Sequence, residues 1–441
     1  MKLKPPILSI VITLSIFSGV ANAFEIPSSF NPVGSGARAL AMGGAYMNVC
    51  SDGTAASWNP ACLVRVKDYE LAMVYSFVHR KENNYFSKNE SLSNVGRISQ
   101  SDANFVGAVI PFKWQRQMAF SFSYQHLYDM SREWDFWNNR SLNQDVFNRE
   151  HITERQKGGL TAVSLAYGVQ INTKLTLGAT LNFWNNDLSE NKWQQIFHSR
   201  SKLIDQNKII TFEYRQIDQF TFKGHNFNIG LLYRFDSRFY AGAVIKTPFC
   251  ATIQSQRDTL RISPTGERTE NTESSAYDLD MPLSYGLGFM MYITNRFRLS
   301  FDAYCTRWDQ FIQTIKTGEE QFPLTNAPID EVDIDPTYQF RLGTEYLYEY
   351  KKYYIPVRMG ILYDPAPSDG NPDEFWGISC GIGLTKNHRY SFDIAYQYRY
   401  GNDIQTVDLE HLGFSQDISE HSVYVSMIFY WGTGMWENDE D

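Results

Sequence analysis

Beyond residue 23 the sequence has no apolar run of the roughly 20 residues that a membrane-spanning helix requires, and its mean hydropathy is −0.38. Cysteine is scarce, five in 441 residues, and none shows a metal-ligand spacing. The eight histidines form no pair at ligand spacing either, so neither a metal nor a cofactor is expected. Basic residues are outnumbered, with a net charge of −9, which becomes −11 without Lys2 and Lys4; that balance argues against nucleic acid. No recognisable Ser-His-acid set is present, so an enzyme is not expected. GSGARA at Gly34 imitates a dinucleotide fingerprint but lacks the preceding strand and βαβ unit. No linker, low-complexity stretch or composition shift follows residue 68, although a soluble chain of this length would call for two or three domains.

What is present is aromatic and periodic. Phe, Tyr and Trp make up 15% of the chain. At the N-terminus Lys2 and Lys4 precede an apolar run from Ile7 to Val20, followed by Ala21-Asn22-Ala23. This is the pattern of a secretory signal peptide over residues 1–23, with cleavage leaving Phe24 first. Export follows as the expectation.

Further on, apolar residues alternate strictly. Val163, Leu165, Tyr167, Val169 and Ile171 are interleaved with Ala162, Ser164, Ala166, Gly168 and Gln170. Tyr390, Phe392, Ile394, Tyr396 and Tyr398 repeat the pattern, as do Phe227, Ile229, Leu231, Tyr233 and Phe235. Successive strand side chains point to opposite faces. In a membrane barrel the apolar face meets lipid and the small or polar face lines the lumen. Fourteen such segments lie near 69–78, 104–112, 118–129, 160–171, 175–185, 225–235, 239–247, 284–293, 297–307, 337–348, 355–363, 375–384, 390–399 and 421–431. Most are about ten residues, enough for a tilted strand to cross a bilayer. Their connections alternate short and long, as periplasmic turns and external loops do. Tyr124, Tyr128, Tyr348, Tyr363 and Trp431 fall at strand ends, where an interfacial girdle belongs. The predicted fold is all-β: a 14-stranded antiparallel transmembrane β-barrel over 69–431, in the bacterial outer membrane, with a C-terminal tail at 432–441.

Residues 24–68 are too small-sided for a lipid-facing strand and too apolar for a free tail. A fourteen-strand lumen is wider than wall side chains alone can fill, so the segment is expected inside it as a plug. Its run GSGARALAMGGAYMNVCSDGTAASWNPA, residues 34–61, resembles the N-terminal hatch of the FadL-type outer-membrane transporters, with Gly43-Gly44-Ala45, Ser51-Asp52-Gly53 and Asn59-Pro60-Ala61 at the family's motif positions. The resemblance continues through Arg307 to Phe311 and through 358–398. It implies fourteen strands, a luminal hatch marked by Gly43, Gly44, Asn59 and Pro60, and passive uptake of hydrophobic compounds, either long-chain fatty acids or aromatic hydrocarbons. In that family the ligand passes from external loops to a luminal site and leaves sideways through a wall gap. A departure is the terminus: Trp431 or Trp436 must stand in for the usual terminal aromatic, ahead of an acidic tail. The alternative reading is an accessory barrel of a protein secretion system that binds exported proteins.

Strand phase also places candidate ligand groups. With Phe340, Leu342 and Tyr346 outward, Arg341 and Glu345 face the lumen. With Val357, Met359 and Ile361 outward, Arg358 faces in beside them. Arg38 is the one cation of the plug before Arg65. An arginine fork suits a carboxylate, although luminal charges are more often paired with one another. In the long loops, Trp134, Phe136, Trp137, Trp193 and Phe197 offer either a greasy groove or a core for the loops themselves. Cys50 and Cys62 lie close in the plug and could pair in an oxidising compartment, or simply pack. Cys305 and Cys380 are expected on the lipid face. The expected partners are hydrophobic small molecules and outer-membrane lipid, bound by a monomer.

Overall fold

The structure, a computed structural model, describes residues 32, 34–141, 146–205, 208–315, 318–386, 389–404 and 413–432. The signal peptide and the tail beyond Gly432, with Trp436, lie outside them. Fourteen antiparallel strands close a barrel. They are β1 Tyr69–Phe86, β2 Asn94–Lys113, β3 Gln117–Asp129, β4 Val146–Gln170, β5 Leu175–Asn185, β6 Lys208–Arg234 and β7 Phe239–Lys246. The second half is β8 Ser284–Tyr292, β9 Phe297–Thr306, β10 Thr337–Tyr350, β11 Tyr353–Tyr363, β12 Phe375–Lys386, β13 Tyr390–Ile404 and β14 Phe414–Trp431. Closure is by β1 against β14, in register from Tyr69↔Trp431 to Phe86↔Phe414. No sheet edge is left at that seam to meet lipid, as a membrane barrel requires. Among the described residues no helix is long and apolar enough to cross a membrane.

The alternation read from the sequence sets the faces. Phe340, Tyr346, Met359 and Ile361 are exposed on the outer surface, whereas Gln339, Glu345 and Arg358 are buried. Tyr348 and Trp431 are exposed at strand ends. Tyr128 departs from the expected girdle: it is buried because the pairing of β3 with β4 shifts between His126 and Tyr128. A one-residue shift moves a side chain to the opposite face. Cys380 is exposed as expected, and Cys305 shares the outer face by register but is buried there. Its register partners Tyr285 and Tyr338 flank it on the neighbouring strands.

Much of what the sequence marked as external loop is wall. Arg132–Ser141 pairs with the upper part of β4, Lys192–Asp205 with β4 and β6, and Phe249–Ile262 with Arg268–Met281 and β6. These hairpins carry the sheet well beyond the length that crosses a bilayer. Their inner face mixes apolar with polar and charged side chains and their outer face is mostly polar, so no continuous apolar alternation marks them.

The wall has one interruption that matters. β2 pairs with β3 only from Phe105↔Gln125 to Lys113↔Gln117. Its upper half continues to Asn94 against β1 and, among the described residues, has no strand ladder on its other edge.

Candidate functional site

The N-terminal segment lies inside the barrel, folded as a short helix α1 (Ala37–Ala41), a second α2 (Ala55–Trp58) and a 3-10 turn at Pro60–Arg65. Its residues from Ala37 to Cys62 are almost all buried. Helices this short are not stable by themselves; the wall holds them. The Ala37 N–H donates to Ser426 Oγ at 2.7 Å and the Met47 N–H to Asp302 Oδ2 at 2.8 Å. Ser379 Oγ donates to the Ala41 carbonyl at 3.1 Å, and Thr180 Oγ1 to the Ala56 carbonyl at 2.8 Å. These contacts come from strands on several sides of the lumen.

The four motif residues each have a physical reason. Gly43 and Gly44 adopt φ of 63° and 77°, the left-handed region that glycine tolerates best. A side chain on Gly44 would also meet the Arg341 guanidinium at 2.8 Å. Asn59 accepts from the Ala61 N–H at 3.1 Å and donates to the carbonyls of Met47 at 3.2 Å and Leu231 at 3.1 Å. It thereby ties the segment to itself and to β6. Pro60 opens the 3-10 turn and presses on wall glycine Gly178, where a Cβ would lie 2.3 Å from the proline carbonyl carbon. Cys50 and Cys62 are both buried and free; both thiols donate to the Met47 carbonyl, at 3.5 and 3.4 Å.

Three of the candidate ligand groups converge on the plug. Glu345 accepts Arg358 Nε at 2.7 Å and Arg38 Nε at 3.3 Å, and pairs with Arg298 as well. Arg38 also lies 3.5 Å from Asp52, and Arg358 bonds Asp393. A carboxylate among three guanidiniums joins the segment to β9, β10 and β11. Arg38, Arg358 and Glu345 are thus paired with one another. Arg341 stands apart. It is 3.6 Å from Asp364, 5.0 Å from the Tyr304 ring and 5.7 Å from the Trp58 ring. Among the described residues its Nε has no hydrogen-bond partner. It lines a luminal cavity of about 130 Å³ with Leu40, Trp58, Leu362 and Tyr424.

The sequence reading missed Lys246. It ends β7 on the inner face that Gly242 and Val244 share, and that phase was the signal that could have found it. Among the described residues no carboxylate pairs with it. It lines a second, smaller luminal cavity with Tyr128, Trp184, Phe249 and Met281. Around these lies an extensive apolar cluster that joins Trp308, Phe311, Phe322 and Ile334 of the 308–334 connection with Trp184, Trp193, Phe220 and Phe222.

The loop aromatics separate. Trp134, Phe136 and Phe197 pack with Phe86 and Phe414 inside the barrel's outer extension, with Phe86 and Phe136 centroids 5.3 Å apart. Trp137 faces outward, stacked on His151 at 4.1 Å. Trp193 stacks on Phe220 at 4.9 Å, and both line an opening of about 870 Å³ where β2 and β3 part. Phe77, Tyr124, His126 and Lys157 also border it.

Antiparallel strands closed around an internal N-terminal segment, with cavities of mixed polar and apolar lining against that segment and an opening in the wall, define the class of outer-membrane transport barrels. The chain belongs to the outer membrane protein transport protein family (OMPP1/FadL/TodX), whose model matches residues 13–423. Solved structures with the same fold include a Pseudomonas aeruginosa FadL homologue, 14% identical with a TM-score of 0.61, covering 92% of this chain and 100% of that one. The Pseudomonas putida toluene transporter TodX is 13% identical with a TM-score of 0.57, covering 91% and 100%. The CymD monoaromatic hydrocarbon channel is 15% identical with a TM-score of 0.56, covering 91% and 99%. No curated protein matches the chain.

Proposed function

We propose that this barrel carries hydrophobic compounds with an acidic head, of the long-chain fatty acid type, passively across the outer membrane. The observation that carries the choice of ligand is Lys246, a luminal cation beside aromatic side chains with no carboxylate paired to it among the described residues. A charge withdrawn from water is costly unless paired, and a ligand carboxylate would supply the partner. Residues 34–67 act as the plug that blocks a straight aqueous path. The 870 Å³ opening between β2 and β3 gives an apolar molecule a sideways route. Arg341, held between Trp58 and Tyr304, is a second contact on that path.

Purified barrel should bind a radiolabelled long-chain fatty acid saturably, and Lys246→Met should weaken binding at least about tenfold, one lost charge-assisted contact of ~1.5–3 kcal/mol. Toluene binding should be unchanged in that variant. Fatty-acid binding that is absent, or indifferent to Lys246→Met while toluene binds saturably, would instead assign the channel to neutral hydrocarbons.

A further inference from the structure

The outer surface of the wall carries like charges set opposite one another in one place and diagonal to one another in a second. Lys81 on β1 faces Arg97 on β2 in register. Both lie on the outer face that His79 and Ser99 share, and among the described residues neither has an ion-pair partner. On the other side of the wall opening, Lys157 and Lys192 line its margin one step apart in the ladder, where Lys157 opposes Gln194 and Gly159 opposes Lys192. They too lack ion pairs among the described residues. Like charges opposed across strands cost stability, and this chain is acidic overall, at −9. Glu190 and Asp102 also border the opening, while Asp417 on β14 accepts the Asp403 N–H at 3.1 Å.

Height along the wall says what these cations meet. From Tyr69, at the periplasmic end of β1, to Lys81 the strand rises about 30 Å, taking ~3.3 Å per residue and a tilt of ~40°. Gln170 to Lys157 gives a similar rise. That clears the apolar band, about 25 Å tall. Below Lys81 the outward residues are Met73, Tyr75 and Phe77, with His79 next to it, all exposed. The two basic pairs therefore stand at the headgroup level of the outer leaflet, Lys157 and Lys192 on the margin of the opening and Lys81 with Arg97 on the β1–β2 hairpin, Arg97 two residues above Ser99 of its lining.

We propose that Lys81 with Arg97, and Lys157 with Lys192, hold the phosphates of an outer-leaflet glycolipid across the opening between β2 and β3. Bound phosphate neutralises each repulsive pair, and guanidinium and ammonium groups both take phosphate oxygens. The lipid so held roofs the breach at its upper margin. The inference needs only the membrane-embedded barrel and is independent of which compound is transported.

The full barrel, purified in detergent, is incubated with bis-phosphorylated lipid A, with its dephosphorylated form and with phosphatidylethanolamine, and bound lipid is counted by native mass spectrometry. Wild-type protein should retain bis-phosphorylated lipid A selectively. Lys81→Ser/Arg97→Ser and Lys157→Ser/Lys192→Ser should each lower its retention at least tenfold. Lys81→Arg/Arg97→Lys should keep it, which separates lost charge from lost folding; the heat-modifiable gel shift of the barrel reports folding for each variant. Equal retention of dephosphorylated lipid, or undiminished retention by the folded serine variants, would overturn the proposal.

Discussion

Glu345 shows how one side chain carries more than its own stability. It is nearly buried and bonded to arginines from the N-terminal segment and from two strands. Removing one member of a buried ionic set leaves the others uncompensated, at a cost of about 3–5 kcal/mol. Glu345→Gln should therefore loosen residues 34–67 before it unfolds the wall. Hydrogen exchange in that segment should rise by two or more orders of magnitude while the strand ladders stay protected; unchanged protection would show that the backbone pins at Ala37, Met47, Ala41 and Ala56 suffice. Inward pointing of Arg341, Arg358 and Glu345 was legible from strand phase alone. Their pairing was not, because it depends on which strands are neighbours and on what occupies the lumen.

At the scale of elements, the outer hairpins are the part least visible in the sequence. In lipid the outward face must be apolar, so a strand announces itself by alternation. Above the lipid the outward face is free to carry Arg149, Arg155 and Arg200, while Trp134, Phe136 and Phe197 turn inward to fill the tube. The pattern inverts, and a reading tuned to the bilayer hears a polar loop. Trp134 and Phe136 are thus core residues of the extension. Trp134→Ala with Phe136→Ala should destabilise the hairpin by roughly 3–5 kcal/mol per side chain. Limited proteolysis should then cut within 132–156 while leaving the membrane strands intact. Resistance to cutting would mean that the hairpin hydrogen bonds alone hold the extension.

For the whole molecule the question is what keeps a wide barrel from leaking. The segment 34–67 fills the lumen, and glycines of the wall make room for it: a Cβ on Gly360 would lie 2.2 Å from the Gly43 nitrogen. Deleting 34–67 should leave a folded barrel, since its ladders close without the segment. In a planar bilayer that variant should conduct ions in steady open steps where the intact chain is nearly silent. A silent deletion variant would move the barrier to the outer aromatic cluster around Phe86, Phe136 and Phe414.

The sequence by itself determined the all-β class, the fourteen membrane strands and the face of most of their residues, Tyr128 being an exception, because a lipid solvent imposes a period of two on every crossing. It also marked Gly43, Gly44, Asn59 and Pro60, whose backbone demands are local. Only the tertiary structure decided that Arg38 and Arg358 share Glu345, that Lys246 stands without a carboxylate among the described residues, and that β2 and β3 part to open the wall. Each of these depends on register between strands far apart in the chain and on the space left around an internal segment. Neither is written in the period of any one strand.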